Sequence, residues 1–163
     1  MSQFISSLVK RLPNPLRSNV NIMLWGLRTP MINYLRPSIV SMDDKRVVLE
    51  IKLGRRANSN WNSMFMGALA TGIDITGGFL AFEKSAELNI GILYKDIQIS
   101  FLKRADGDVH FVCENGAEIH EGLRKAKETG ERVNVPVLFK CYVPPSTEPC
   151  VIANSTLSMK RRK

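Results

Sequence analysis

Histidine is nearly absent from this chain. His110 and His120 are the only two, and no cluster of other ligand residues surrounds either one. The three cysteines, Cys113, Cys141 and Cys150, are scattered and form no C-x-x-C pair. These shortages argue against a zinc site. An odd number of unclustered thiols suits a reducing compartment, so a cytoplasmic location is expected. Acidic residues are missing from the first 42 positions, where Lys10, Arg11, Arg17, Arg28 and Arg36 stand alone. The N-terminal run MSQFISSLVKRL has no basic residue ahead of its apolar ones and is a poor secretory signal. Phe4, Ile5, Leu8, Val9 and Leu12 would share one helical face. That face suits a transit peptide or a membrane-surface helix, but a short helix packed on the body is the preferred reading.

The chain of 163 residues has the length of one ordinary domain, and its 44% apolar and 23% charged residues fall in the globular range. The net charge of +8 is concentrated at the two ends, in the first 42 residues and in the closing KRRK. The intervening body is close to neutral. A nucleic-acid-binding domain carries its basic excess on the folded surface, so no nucleic-acid partner is expected. The ends bind phosphates weakly or serve solubility.

Residues 62–82, NSMFMGALATGIDITGGFLAF, carry a single ionisable side chain, Asp74. The run is long enough to span a bilayer, but Asp74 near its centre, four glycines and two threonines argue against that, so no transmembrane segment is expected. Its composition predicts a buried helix, with Asn62 or Ser63 as the N-cap.

Around it, period-two patterns predict strands. Val47, Leu49, Ile51 and Leu53 alternate with Arg46, Val48, Glu50 and Lys52. Four more strand-like stretches follow: NIGILYKDIQISFLKR, DGDVHFVCEN, RVNVPVLFKCYV and EPCVIANSTLSM. A parity change near Lys95–Asp96 predicts a bulge, and Pro136 predicts an edge position or a bulge. Residues 116–129 read as an inserted amphipathic helix with Asn115 and Glu118 at capping-box spacing and Gly130 as its stop. Before the first strand, PLRSNVNIMLWGL predicts a helix with Leu16, Val20, Met23, Leu24 and Leu27 inward, and TPMINYLR a shorter one. The expected organisation is a helical extension over 1–37, then an α+β domain over 38–163 ending in a basic tail. A curved antiparallel sheet wrapped around one buried helix satisfies this order.

On a helix, the neighbours of Asp74 at three, four and seven positions are Gly67, Ala70, Thr71, Gly77, Gly78 and Ala81, all small. A small stripe admits a close backbone or leaves room for a ligand. Two readings of Asp74 stay open on residues alone. It hydrogen-bonds a backbone group or a partner subunit, or it works as a carboxylate whose pKa is raised by dry surroundings.

ALATGIDITGGFLA, the asparagine-containing loop before it and KDIQISFLKRADGDVHFVCE after it resemble the hotdog-fold thioesterase superfamily, in its uncharacterised, domain-of-unknown-function branch. Asn60, Phe65, Met66, Gly67, Ala68 and Asp74 fall on the family's loop–helix pattern, and Lys103–Arg104–Ala105 on its basic turn. The likeness covers about residues 45–160. It implies a long central helix wrapped by about five antiparallel strands, and a homodimer or dimer of dimers with active sites at the interface. The implied activity is hydrolysis of an acyl-CoA or acyl-carrier thioester. Asp74 is implied as base or nucleophile, and the backbone N–H groups of Met66 and Gly67 as oxyanion donors. Asn60 and Phe65 fall at substrate positions, and Lys103 and Arg104 at the coenzyme A phosphates. No cofactor is implied beyond the coenzyme A of the substrate. Phe65 stands where the family has histidine and Met66 where it has the first glycine, which keeps a second reading alive: a hotdog module that binds an acyl or coenzyme A ligand, or serves assembly, without turnover.

Overall fold

The apolar segment forms one helix of 23 residues, Met66–Leu88, about 34 Å long at the usual rise. A computed structural model of the protein describes residues 14–162, with the side chains of residues 14–18 and Glu83 left aside. The expected N-terminal apolar face, Leu16 and Lys163 lie outside what it describes. The elements are α1 (Asn14–Gly26), α2 (Pro30–Leu35), β1 (Ser38–Met42), β2 (Val47–Ile51), α3 (Met66–Leu88), β3 (Ile90–Phe101), β4 (Val109–Cys113), α4 (Gly116–Thr129), β5 (Val133–Tyr142) and β6 (Val151–Arg161).

The six strands form one sheet in the order β1-β2-β4-β5-β6-β3, and every neighbouring pair is antiparallel. The fold is a hotdog: the sheet curls around α3. The alternating residues expected to point inward do so. Val47, Leu49 and Ile51 of β2, Val109, Phe111 and Cys113 of β4, and Phe139 and Cys141 of β5 have no more than trace exposure. The sheet has one strand more than expected, because Ser38–Met42 pairs along β2.

Two glycines of α3 are explained by this wrapping. A Cβ at Gly72 would clash with the Phe111 ring at 2.4 Å, and one at Gly77 would strike the Tyr94 hydroxyl and the Phe139 ring. Their absence of side chain lets β4 and β5 bring aromatic rings against the helix backbone, a requirement that outweighs the ~1 kcal/mol helix cost of glycine.

The bulge lies where parity broke, between Tyr94 and Asp96 in the pairing of β3 with β6. Pro136 is neither in a bulge nor on an edge strand, since it pairs with Thr156 in the interior strand β5. The pairing of β4 with β5 spans only Phe139–Tyr142 of β5, and the Leu138 N–H turns to that side to reach the Asn115 side chain at 2.9 Å. Main-chain donors alternate sides along a strand, so the donor missing at Pro136 faces the stretch that β4 does not cover.

Asn115 therefore serves β5. It makes no side-chain cap to α4, whose stop at Gly130 is left-handed as expected (φ 71°). Lys160 and Arg161 belong to β6 and pair with β3 rather than forming a free tail.

The inward face of α1 also differs from expectation. Ile22 is buried and Trp25 packs against the core, while Met23 and Leu27 are exposed. The Asn19 amide decides the rotation. Its oxygen accepts the Ile39 N–H at 2.8 Å and its nitrogen donates to the Ile39 carbonyl at 3.2 Å, so α1 is fastened to β1 as a strand would be. Among the described residues no helix is long and apolar enough to cross a membrane.

Candidate functional site

The chain enters α3 through a tied loop. The Met64 N–H donates to the Ala105 carbonyl at 2.7 Å and the Phe65 N–H to the Ala57 carbonyl at 2.9 Å. The N-cap is Phe65, with no side-chain cap, and not Asn62 or Ser63. Asn62 takes a left-handed turn instead (φ 52°). The first helical N–H groups with acceptors are those of Ala68 and Leu69, both on the Phe65 carbonyl. Those of Met66 and Gly67 have no intrahelical acceptor and sit at the positive end of the helix dipole.

The same loop gathers most of the expected site residues. Arg104 donates to the Trp61 carbonyl, Ala105 is buried beneath the loop, and Asn60 is exposed beside it. Lys103 makes an exposed ion pair with Glu148. Lys103, Arg104 and the turn Val143–Ser146 line a groove of about 550 Å³. Trp61 itself is 80% exposed. The Phe65 ring lies against Gly67, where a Cβ would collide with it.

Asp74 is not in that cluster. It lies eight residues farther along α3, about 12 Å down the axis. Its small-residue stripe divides by purpose. Gly77 packs against β3 and β5, whereas Gly78 faces open space bounded by Trp25, whose ring is 3.5 Å from a Cβ built there. That space is a cavity of about 420 Å³ between α1, α2, α3 and β3. Its walls include Trp25, Ile32, Ile75, Phe82, Ile92 and Tyr94, and Asp74 stands at its rim. Trp25 meets Phe79 and Phe82 edge-on, with ring centroids 5.6 and 4.6 Å apart.

The Asp74 side chain reaches solvent, yet the protein packed around it raises its pKa above 3.8 by desolvation. The Tyr94 hydroxyl donates to the Asp74 main-chain carbonyl at 3.0 Å. Burial and, secondarily, the Asp74 charge push the Tyr94 phenol well above 10, so it stays a neutral donor. This wall, half of it from α1 and β3, was not foreseen. Trp25 and Tyr94 lie far from Asp74 in sequence, and only the unexplained Gly78 pointed to a space.

The histidines stand apart. His110 faces outward from β4, its Nε2 3.3 Å from Glu50 Oε1. His120 lies between the Leu80 carbonyl and Lys84 Nζ. All three cysteines are buried, and burial pushes the Cys113 thiol up to about 11 and raises Cys141 and Cys150, which makes them poor nucleophiles. Among the described residues no group of three or more His, Cys, Asp or Glu is placed to hold a metal.

Residues 20–144 match the family model described as Domain of unknown function (DUF4442). No curated protein matches the chain. Solved structures do. A protein of unknown function from Chlorobaculum tepidum is 14% identical, with 91% of this chain and 97% of that one covered and a TM-score of 0.76. A mutant thioesterase from Pseudomonas aeruginosa is 13% identical, covering 92% and 96%, with a TM-score of 0.69. A thioesterase family protein from Silicibacter pomeroyi is 16% identical, covering 89% and 99%, with a TM-score of 0.65. At these identities the likeness is one of fold.

Proposed function

Since the chain belongs to the DUF4442 family, a domain of unknown function on a hotdog fold, we propose that it hydrolyses an acyl-CoA or acyl-carrier thioester. The observation that carries this reading is Asp74: a carboxylate of raised pKa at the mouth of an otherwise largely apolar cavity. In this reading the cavity takes the acyl chain and Asp74 activates water, or attacks the carbonyl itself. The N–H groups of Met66 and Gly67, which have no intrahelical acceptor, hold the developing oxyanion. Asn60 and Phe65 border the thioester, and Lys103 and Arg104 meet the phosphates of coenzyme A along their groove. The reaction calls for no cofactor beyond the coenzyme A of the substrate. A cytoplasmic location suits the buried free thiols.

Donors and base about 12 Å apart on one helix cannot address the same carbonyl. A second copy solves this, with the acid of one protomer beside the helix start of its partner. The β3 edge carries Leu93, Ile97 and Phe101 exposed and is the proposed seam of that homodimer.

The second reading is a ligand-binding or assembly module without turnover. It is favoured by the Phe65 ring packed on Gly67, which crowds the oxyanion donors. Thiol release from a panel of acyl-CoA esters, for the wild type and Asp74→Asn, separates the two. Turnover that collapses in a folded, assembled Asp74→Asn establishes the hydrolase; ligand binding with no turnover establishes the module; turnover untouched by the substitution removes Asp74 from the site.

A further inference from the structure

The cavity beside Asp74 is closed by a part of the chain that the hotdog sheet does not supply. Its floor is the α1–α2 hairpin, which contributes Trp25 and Ile32 and is fastened to β1 through Asn19 and Ile39. The Trp25 ring stands over Gly78 and against Phe82. Along α3, Gly78 and Phe82 lie about 6 and 12 Å from Asp74. Beyond Phe82 the lining turns polar, with Ser85 and Arg162. Apolar depth between Asp74 and the indole is therefore limited to roughly 6–12 Å. An extended alkyl chain advances about 1.3 Å per carbon, given its ~1.5 Å bonds, so five to nine carbons fill roughly that run.

Resting on the hydrolase reading above, we propose that Trp25 is the floor of the acyl chamber and restricts the enzyme to short and medium acyl chains, with the N-terminal hairpin as the specificity element. Gly78 is part of the device. A Cβ there would already touch the indole at 3.5 Å, so any larger side chain would crowd the chamber and glycine keeps it at its present depth.

The test uses the full chain and two substitutions of opposite effect. Trp25→Ala removes the floor, and the kcat/KM ratio of dodecanoyl-CoA to hexanoyl-CoA should rise by about tenfold or more, since each added methylene that becomes buried is worth roughly fourfold. Gly78→Leu takes up room beside the indole and should lower the octanoyl-CoA to butyryl-CoA ratio by about tenfold, and it keeps the proposal testable should Trp25→Ala fold poorly. A readout independent of turnover is Trp25 fluorescence in a Trp61→Phe background, titrated with a non-hydrolysable octanoyl-CoA thioether. A shifted emission with reordered chain-length profiles supports the inference. Turnover whose profile is unchanged in both variants overturns it and leaves the hydrolase reading intact. A Trp25 response that weakens in Gly78→Leu, with no turnover of any ester, supports the chamber and removes the hydrolase. Neither response nor turnover overturns both.

Discussion

Tyr94 donates its hydroxyl to the main-chain carbonyl of Asp74 at 3.0 Å, and this bond joins the edge strand β3 to the middle of α3 beside the candidate base. The same hydroxyl occupies the place that a side chain at Gly77 would need. Strand, helix and carboxylate are thus held in one register by a glycine and a phenol. Tyr94→Phe removes the bond and keeps the ring. The expected loss is about 1 kcal/mol, the net worth of a typical hydrogen bond. In a chain of this size that lowers Tm by about 2–4 °C, measured by thermal unfolding. An unchanged Tm would mean that the helix carbonyl is equally well served without the phenol.

The pKa of Asp74 sets a direction for pH dependence. A base or nucleophile acts as the carboxylate, so turnover should rise with pH through a limb displaced above 3.8, and pH profiles of kcat/KM measure it. The stability effect has the opposite sense. The folded pKa lies above the unfolded one, so the folded chain binds the proton more tightly. Stability is then greatest below the unfolded value and declines as pH rises through the folded one. Asp74→Asn should therefore raise Tm modestly at neutral pH, with the gain vanishing in acid. The effect stays small because solvent reaches the carboxylate. A fall in Tm at neutral pH would assign Asp74 a structural hydrogen bond instead.

How much of this was legible in the sequence differs by element. Helix α3 and the inward faces of β2, β4 and β5 were readable because complete burial leaves a complete pattern. The rotation of α1 was not. Its apolar residues favour Met23 and Leu27, but one asparagine bonded twice to Ile39 turns the helix so that Trp25 faces inward. Asn62 failed as a cap for a related reason, since it makes a left-handed turn; Asn115 holds the N-cap position of α4, but its side chain satisfies a strand instead. Asp74 stood out as a lone charge, whereas Lys103–Arg104 came only from the family resemblance. The cavity beside Asp74 depended on Trp25, Tyr94 and Arg162, which only the fold brings together.

The proposed seam gives a prediction on assembly. Leu93, Ile97 and Phe101 leave a long edge strand apolar, which invites pairing with a second chain. Ile97→Lys with Phe101→Lys should shift a sedimentation profile from dimer to monomer. Turnover should fall with it under the proposed arrangement, in which the helix start of one protomer faces the acid of the other. A dimer that survives both charges places the interface elsewhere.

Lys103 and Glu148 form an exposed ion pair at the groove assigned to the coenzyme A phosphates. Such pairs contribute at most about 1 kcal/mol, so Lys103→Ala should leave Tm nearly unchanged. Loss of a phosphate contact should instead raise KM for an acyl-CoA by about threefold to tenfold. It should not raise KM for the same acyl group on a short, phosphate-free thiol. Equal effects on both esters would place the phosphates elsewhere.

The glycines of α3 make a paired prediction with opposite signs. At Gly72 a Cβ lands 2.4 Å from the ring of Phe111, a fully buried residue. Neither the β4 backbone nor the helix can yield easily, so Gly72→Ala should cost about 1–3 kcal/mol through overpacking. At Gly78 the nearest atom is the Trp25 ring at 3.5 Å, an ordinary contact. There the helix propensity of alanine operates unopposed, and Gly78→Ala should gain up to about 1 kcal/mol. Chemical denaturation of the two variants decides between packing and propensity as the reason for each glycine. If both destabilise, the space at Gly78 is closed in solution and the chamber that ends at Trp25 is lost with it; if Gly78→Ala stabilises while turnover of longer acyl esters declines, that glycine is kept for the ligand and not for the fold.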